Sequence, residues 1–310
     1  MNFYARVRTS LLSWMHETPL PTTDSHTSLK FQSWHHFHQD LQQWVPATNN
    51  DLQQATPALN TSPNLTLLTW NIDATSPRTE DRVTEIITFI TQLDPQVHVI
   101  FFQEVSKTAL HQILKDNRIQ ESWVSSERDD TAWGKQSFAT MTLLSKSHFA
   151  LGPIWRVTYP SHFGRDALCC DVFVPSCGRH TRVRLVNVHL DSLPMRPSHR
   201  PRQISIVSSF LRIAGRGLVA GDFNPVLDED ATLPESNSLT DVWVALRPED
   251  PGFTWGTDGE QPFPPNRMDK VAIVGLEPFG IRTLEPKRLG INSPWSDHHA
   301  LLCSFGIHKE

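Results

Sequence analysis

Short apolar runs bounded by polar residues punctuate the chain from residue 65 onward and predict buried strands. LTLLTWNI (65–72), VHVIFFQEV (97–105), FATMTLLSK (138–146), ALCCDVFV (167–174), TRVRLVNVHL (181–190), GLVAGDFN (217–224), MDKVAIV (268–274) and ALLCSFGI (300–307) are of this kind. Between them the period changes. RVTEIITFITQL (82–93) places Val83, Ile86, Ile87, Ile90 and Leu93 at helical spacing, and HRPRQISIVSSFLRIA (199–214) is the clearest later helix. The mixture predicts one large mixed α/β domain over residues 61–310, preceded by an extension over 1–60 that is partly disordered or docked. In that extension FQSWHHFHQDLQQW (31–44) spaces Phe31, Trp34, Phe37 and Trp44 either as a helix pressed onto the domain or as a partner-binding segment, and docking is favoured because exposed tryptophans are costly. His26, His35, His36 and His38 lack a cysteine set or a clear i, i+4 pair and read as surface residues.

The strands share one peculiarity: each ends, or begins, in an acid, an amide or a histidine. Asn71 and Asp73 follow LTLLTW, Glu104 follows VIFFQ, and His189, Asp191 and Ser192 follow RLVNV. Asp222 and Asn224 follow GLVAG, Asp269 opens a strand, and Asp297 and His298 precede ALL. Any one of these is explained by turn chemistry, since Asp, Asn and Ser end strands by bonding local backbone. Six together in an α/β domain predict a crevice, because strand ends in such folds converge.

The set has a definite chemical competence. One or two carboxylates suit Mg²⁺, with Mn²⁺ the alternative, and Glu104 is the principal ligand, with Asp73 and Asp297 as helpers. Phosphodiester hydrolysis needs a polarised phosphoryl oxygen, a base for water and cationic donors to the equatorial oxygens. Asp222 can serve as the base with Asn224 holding its geometry, His189 and His298 as donors, and Asp269 or Asp297 as the carboxylate that orients His298.

Composition narrows the partners. Lys and Arg number 28 against 33 Asp and Glu, a net charge of -5, which argues against a protein that coats nucleic acid by bulk electrostatics but leaves a local groove open. Four cysteines, Cys169, Cys170, Cys177 and Cys303, show neither disulfide-framework density nor zinc-ligand spacing and predict a reducing compartment, nuclear or cytoplasmic. No apolar run reaches the length of about 20 residues that spans a bilayer, so no membrane is expected. Arg6 and Arg8, with Glu17 the first acid, leave a weak organelle-targeting reading of the N-terminus. G-x-G-x-x-G and Walker A loops are lacking.

In order, TWNID (69–73), QEV (103–105), NVHLDS (187–192), GDFN (221–224), RMDKV (267–271) and SDHH (296–299) resemble the endonuclease/exonuclease/phosphatase superfamily over residues 65–307. The resemblance implies a four-layer α/β sandwich of two mixed β-sheets flanked by helices, one divalent-metal centre and phosphoester hydrolysis. It makes Glu104 similar to the metal ligand, Asn71 to its supporting amide, Asp222 to the water-activating acid with Asn224 assisting, and His298 to the transition-state donor with Asp269 as its partner. Asp297 falls beside the metal.

Within the superfamily the chain is most similar to the tyrosyl-DNA phosphodiesterase 2 group, through TWNID, FGRDALCCDVFV leading to HLDS, and LTDVWVAL with GFTW. That implies a monomer acting on DNA ends that carry topoisomerase-derived peptide. Arg165 would then meet a DNA phosphate or else pair in the neighbourhood of Asp166 on the surface, Ser192 would contact substrate, and Trp255 would face substrate or else lie buried beside Trp243. Ser137 stands where that group has a tyrosine, GDFN has Phe where it has Thr, and no aromatic follows the histidine of SDHH. The alternative reading is another superfamily phosphoesterase: an abasic-site endonuclease, an inositol-phosphate phosphatase or a sphingomyelinase.

Overall fold

The computed structural model describes residues 3–24, 26–47, 64–176, 179–290 and 293–307; Cys177 and the stretch 48–63 lie outside them. One sheet has the spatial order β1 (Leu29–Gln32), β8 (Ala150–Thr158), β9 (Asp166–Ser176), β10 (Arg179–His189), β11 (Gly217–Asp222), β13 (Asp269–Val274) and β12 (Thr240–Asp241). The other runs β14 (Glu277–Leu284), β15 (Ala300–Gly306), β4 (Asn64–Asn71), β5 (Val99–Ser106), β7 (Phe138–Ser145), β6 (Trp123–Ser125), β2 (His35–His38) and β3 (Gln43–Pro46).

The sheets pack face to face and each is covered by helices outside, which accounts for strands apolar on both faces. In β4, Leu65 and Leu67 join Cys170, Val172, Leu185, Leu218 and Val271 of the other sheet in the central core. The alternate positions Leu68 and Trp70 point outward onto Val83, Ile86, Ile87 and Ile90 of α2 (Thr79–Ile90) and Leu110 and Ile113 of α3 (Lys107–Lys115). On the opposite outer face Val186, Val188 and Val219 meet Ile204, Val207, Phe210 and Leu211 of α5 (Arg200–Ala214). The remaining helices are α1 (Phe3–Met15), α4 (Asn117–Ser122) and α6 (Val242–Leu246). This is the expected four-layer sandwich of two mixed sheets. No described helix is long and apolar enough to cross a membrane.

The helix expected over 31–44 is absent. The segment instead supplies β1, which pairs antiparallel to β8 through Phe31 and Trp155, and the β2–β3 hairpin, which extends the other sheet at His35 and Ser125. Two open sheet edges offered backbone partners that a helix could not use, so tertiary pairing overrode the three-residue aromatic spacing. Trp34 and Phe37 are buried, and the indole N–H groups of Trp34 and Trp44 donate to the Gly152 and Leu114 carbonyls. The His35–His38 run forms no metal-type cluster among the described residues.

Strand direction decides which ends meet. β4 and β5 run parallel, as do β10 and β11, so Asn71 and Gln103 end together and His189 lies across from Asp222. β13 runs antiparallel to β11, setting Asp269 opposite Asp222. β15 runs antiparallel to β4, so the loop before Ala300 reaches the end where Asn71 sits.

Candidate active site

Six strand ends therefore deliver polar groups to one place. The Asn71 amide donates both to Glu104 Oε1 at 3.3 Å and to Asp222 Oδ2 at 3.0 Å, joining the two sheets through one side chain. Glu104 Oε2 accepts from the Ala74 backbone N–H at 3.0 Å. His189 Nε2 lies 3.5 Å from Asp222 Oδ2 and 3.9 Å from Glu104 Oε1, and His298 Nε2 lies 3.9 Å from the same Asp222 oxygen. His298 Nδ1 is 2.8 Å from Asp269 Oδ2.

Backbone geometry aims these groups. The β5–β7 pairing slips between Phe102 and Val105, and Glu104 in that bulge has φ of 56°. A regular pleat would turn Glu104 toward the helix side occupied by Phe102; the bulge redirects it into the crevice. Asp73 and Asn224 also adopt left-handed conformations, at 54° and 46°. Three such residues around one site are local strain held by surrounding structure. Gly221 of GDFN has φ of 141°, and a Cβ there would stand 1.9 Å from the Val188 carbonyl oxygen, so only glycine lets β11 lie this close to β10.

Hydrogen bonding fixes both imidazoles. The Arg165 guanidinium, a donor only, lies 2.8 Å from His189 Nδ1. That nitrogen must be the bare acceptor, and the His189 proton sits on Nε2, facing Asp222 and Glu104. Burial, then the Arg165 guanidinium and His298, push His189 well below the ordinary imidazole range, so it is neutral. Burial also works against charging His298, but the Asp269 carboxylate, followed by Asp222 and Asp297, more than compensates and raises it well above that range. His298 is thus an imidazolium with an Nε2–H directed at the crevice. Burial pushes the Asp222 carboxyl up to about 7, opposed by His298 and assisted by Asp269.

The sequence model of the Endonuclease/Exonuclease/phosphatase family matches residues 68–298. The chain belongs to that family. It is a phosphoesterase of the superfamily, and its sandwich agrees with the family's fold. No curated protein matches the chain by sequence. Among solved structures it is similar to zebrafish (D. rerio) TDP2 in complex with single-strand DNA product, at 20% identity and a TM-score of 0.65 over 78% of this chain and 98% of that one. A truncated Caenorhabditis elegans TDP2 superposes with a TM-score of 0.59 at 22% identity, covering 78% and 97% of the two chains. The human Nocturnin catalytic domain with bound sulfate gives 0.56 at 15% identity, covering 79% and 94%.

Measured against the family motifs, Asn71, Glu104, His189, Asp222, Asp269 and His298 are brought together, and Asn224 anchors the group by donating its backbone N–H to Asp222 Oδ1 and its amide to the Leu190 carbonyl. Asp73 sits at the rim but spends Oδ1 on Thr75 and the Ser76 N–H, shaping its own loop. Asp297 accepts the Trp255 indole N–H at 2.9 Å. Trp255 is half-buried and bridges by backbone to His298 and Asn266; it is Gly252 that packs on the Trp243 indole. Arg165 reaches His189 while stacking over Phe138 and Phe163, and Ser192 is half-buried just after β10.

Several contributors carried no sequence signal beyond helix or strand periodicity. Arg82, fully buried in α2, gives five hydrogen bonds to the carbonyls of Ile72, Asp73, Ser76, Pro77 and Trp295, tying the TWNID loop to the SDHH loop. Ser296 Oγ donates to the Asn71 carbonyl and accepts the His298 N–H. Gln103 and Asn187, buried between the sheets, bond to each other at 2.8 Å, and Asn187 continues to the Phe102 and Met141 carbonyls. Interrupting two apolar runs with amides was the available clue to this polar rivet beneath the site.

Proposed function

We propose that this protein is a divalent-metal-dependent phosphodiesterase that cleaves 5′-phosphotyrosyl or related phosphodiester bonds at DNA ends. The observation that carries the reading is one amide, Asn71, holding Glu104 and Asp222 together in front of a neutral and a charged histidine. The donor set fits a hard cation: Glu104 is half-buried, two N–H groups hold its oxygens, and a second carboxylate stands one amide away. Glu104 would be its ligand, Mg²⁺ the expected ion and Mn²⁺ the alternative. Such an ion supplies Lewis-acid polarisation of a phosphoryl oxygen and charge neutralisation.

The chain's own residues perform the rest. Asp222, held by Asn71 and the Asn224 N–H, orients water and takes its proton, a role suited to a carboxyl poised near neutrality. The Nε2–H groups of His189 and His298 donate to the phosphoryl oxygens, where negative charge accumulates as the bond to the leaving oxygen breaks. Asp269 keeps His298 charged and turned inward. DNA as the substrate is supported by the likeness to zebrafish TDP2 solved with a single-strand DNA product.

A substrate panel at matched concentration tests the reading: 5′-phosphotyrosyl DNA, an abasic duplex, an inositol polyphosphate and a choline phospholipid. The highest kcat/KM is expected on the first; preference for any of the others would overturn the DNA-end assignment. EDTA should stop turnover and Mg²⁺ or Mn²⁺ restore it.

A further inference from the structure

A second cluster of ligating side chains stands beside the loops that carry Arg165 and His189. Asp191, two residues after β10, is almost wholly buried; its carboxylate accepts from the Ser161 hydroxyl and from the His162 backbone N–H at 2.8 Å. His199 Nδ1 lies 3.7 Å from Asp191 Oδ2 and, although buried, has no hydrogen-bond partner. The His162 ring stacks on the His199 ring with centroids 4.0 Å apart and planes 4° from parallel. One ligand atom from each of the three residues lies within 4.8 Å of the others.

We propose that His162, Asp191 and His199 form a transition-metal site of the Zn²⁺ class, separate from the hard-cation position at Glu104. Two imidazoles and one carboxylate are a borderline-soft donor set that Mg²⁺ disfavours and Zn²⁺ prefers, and three protein ligands leave a fourth position for water. Metal–nitrogen distances of about 2.0–2.1 Å place tetrahedral ligand atoms roughly 3.3 Å apart, so the three groups draw closer together on loading. The stacked rings must tilt out of parallel as this happens, because each nitrogen lone pair lies in its ring plane.

The site is built on a rigid base. Arg200 Nη1 donates to the Asp191 and Leu193 carbonyls, its Nε bonds Asp230, and Gln203 Oε1 accepts the Asp191 N–H. His199 occupies the N-cap position of α5 without capping it, so its ring is left for another use. Loading would clip the β8–β9 loop to the start of α5. That loop includes Arg165, whose backbone N–H donates to Ser161 Oγ, so the clip steadies the guanidinium on His189. Only this last consequence rests on the phosphodiesterase reading; metal binding does not.

The test uses the full chain carrying Glu104→Gln, which removes the principal ligand of the other site. Titration calorimetry with Zn²⁺ should show one ion bound, Co²⁺ should give the visible bands of tetrahedral coordination, and Mg²⁺ should not compete. Adding His162→Ala or His199→Ala should weaken Zn²⁺ by at least roughly tenfold and abolish the Co²⁺ bands. His162 is exposed, so its removal leaves the core untouched even if the His199 variant folds poorly. No Zn²⁺ uptake by the Glu104→Gln protein, or uptake indifferent to both histidine substitutions, would overturn the site.

Discussion

Two pairs of histidines flank opposite ends of the sandwich, His98 with His148 where β5 begins and His189 with His298 at the crevice, and they behave in opposite ways. At the end away from the crevice, His98 and His148 stack with centroids 3.5 Å apart, 10° from parallel. His98 Nδ1 accepts the Thr66 N–H, and His148 Nε2 lies 2.8 Å from the Asn64 carbonyl. Burial lowers both, His98 to about 4 with His148 contributing, so the pair is neutral and serves packing and strand starts. At the crevice end, where both rings are buried more deeply than in the far pair, one imidazole is neutral and one charged. The difference is the carboxylate: Asp269 touches His298, whereas Arg165 touches His189. Burial alone makes a histidine inert, and the sign of the neighbour makes it a functional donor.

The comparison breaks most visibly if crevice groups can be removed without consequence. Glu104→Gln and His298→Ala should each lower kcat/KM on the preferred phosphodiester by at least about 10³-fold with the far-ultraviolet circular dichroism unchanged. Folded variants with undiminished turnover would refute the site. Asp269→Asn should keep the shape beside His298 while withdrawing the charge that keeps it protonated, and about a 10²-fold loss in kcat is expected. Its pH profile should distinguish charge from packing, since the alkaline fall in activity, where His298 loses its proton, should move to lower pH than in the native chain.

The far pair predicts a stability effect instead. With a folded-state value of about 4 against an ordinary 6.5 for His98, the unfolded chain binds more protons across that window. Stability is therefore full above 6.5 and falls as pH drops toward 4, by about 2–3 kcal/mol from this group. Denaturant unfolding at pH 7 and pH 4.5 should reveal the slope, and His98→Gln should flatten it while leaving turnover at neutral pH unaltered. A slope that survives the substitution would place the acid sensitivity elsewhere.

The strands and the two principal helices were legible because doubly covered strands are apolar at almost every position, and a periodicity argument needs nothing more. What escaped were elements whose partners lie far along the chain. β1 and β2 are strands because β8 and β6 offer edges, and β8 itself, LGPIWRVT, carries a proline and a buried arginine that blur its alternation. The site residues were legible as types at strand ends, but their roles depend on what each touches. Asp73 and Asp297 read as metal helpers from position; in the structure Asp73 Oδ1 holds a turn and Asp297 Oδ2 an indole. Arg82 was invisible as a site organiser because five carbonyl contacts leave no mark on a sequence. Replacing it by Met should cost about 3–5 kcal/mol and loosen both loops, read as a fall in stability together with activity.

Arg165 offers the finest discrimination. The resemblance to the tyrosyl-DNA phosphodiesterase 2 group makes it a phosphate contact for DNA; in the structure it lies on His189 Nδ1, over the Phe138 ring, whose plane is 24° from that of the histidine. A residue that binds DNA would, when replaced by Met, raise KM and reduce the salt dependence of binding. A residue that fixes a tautomer would leave KM and the salt slope alone and lower kcat, because the freed imidazole can place its proton on Nδ1 and present a bare Nε2 to an oxygen that needs a donor. About a tenfold loss in kcat is expected, the share of one oriented neutral hydrogen bond. The ¹⁵N chemical shifts of the His189 ring report the tautomer directly: Nε2–H in the native chain and a mixture in Arg165→Met. A pure Nε2–H form in the variant would show that Arg165 does not control the proton and would return it to the substrate side of the comparison.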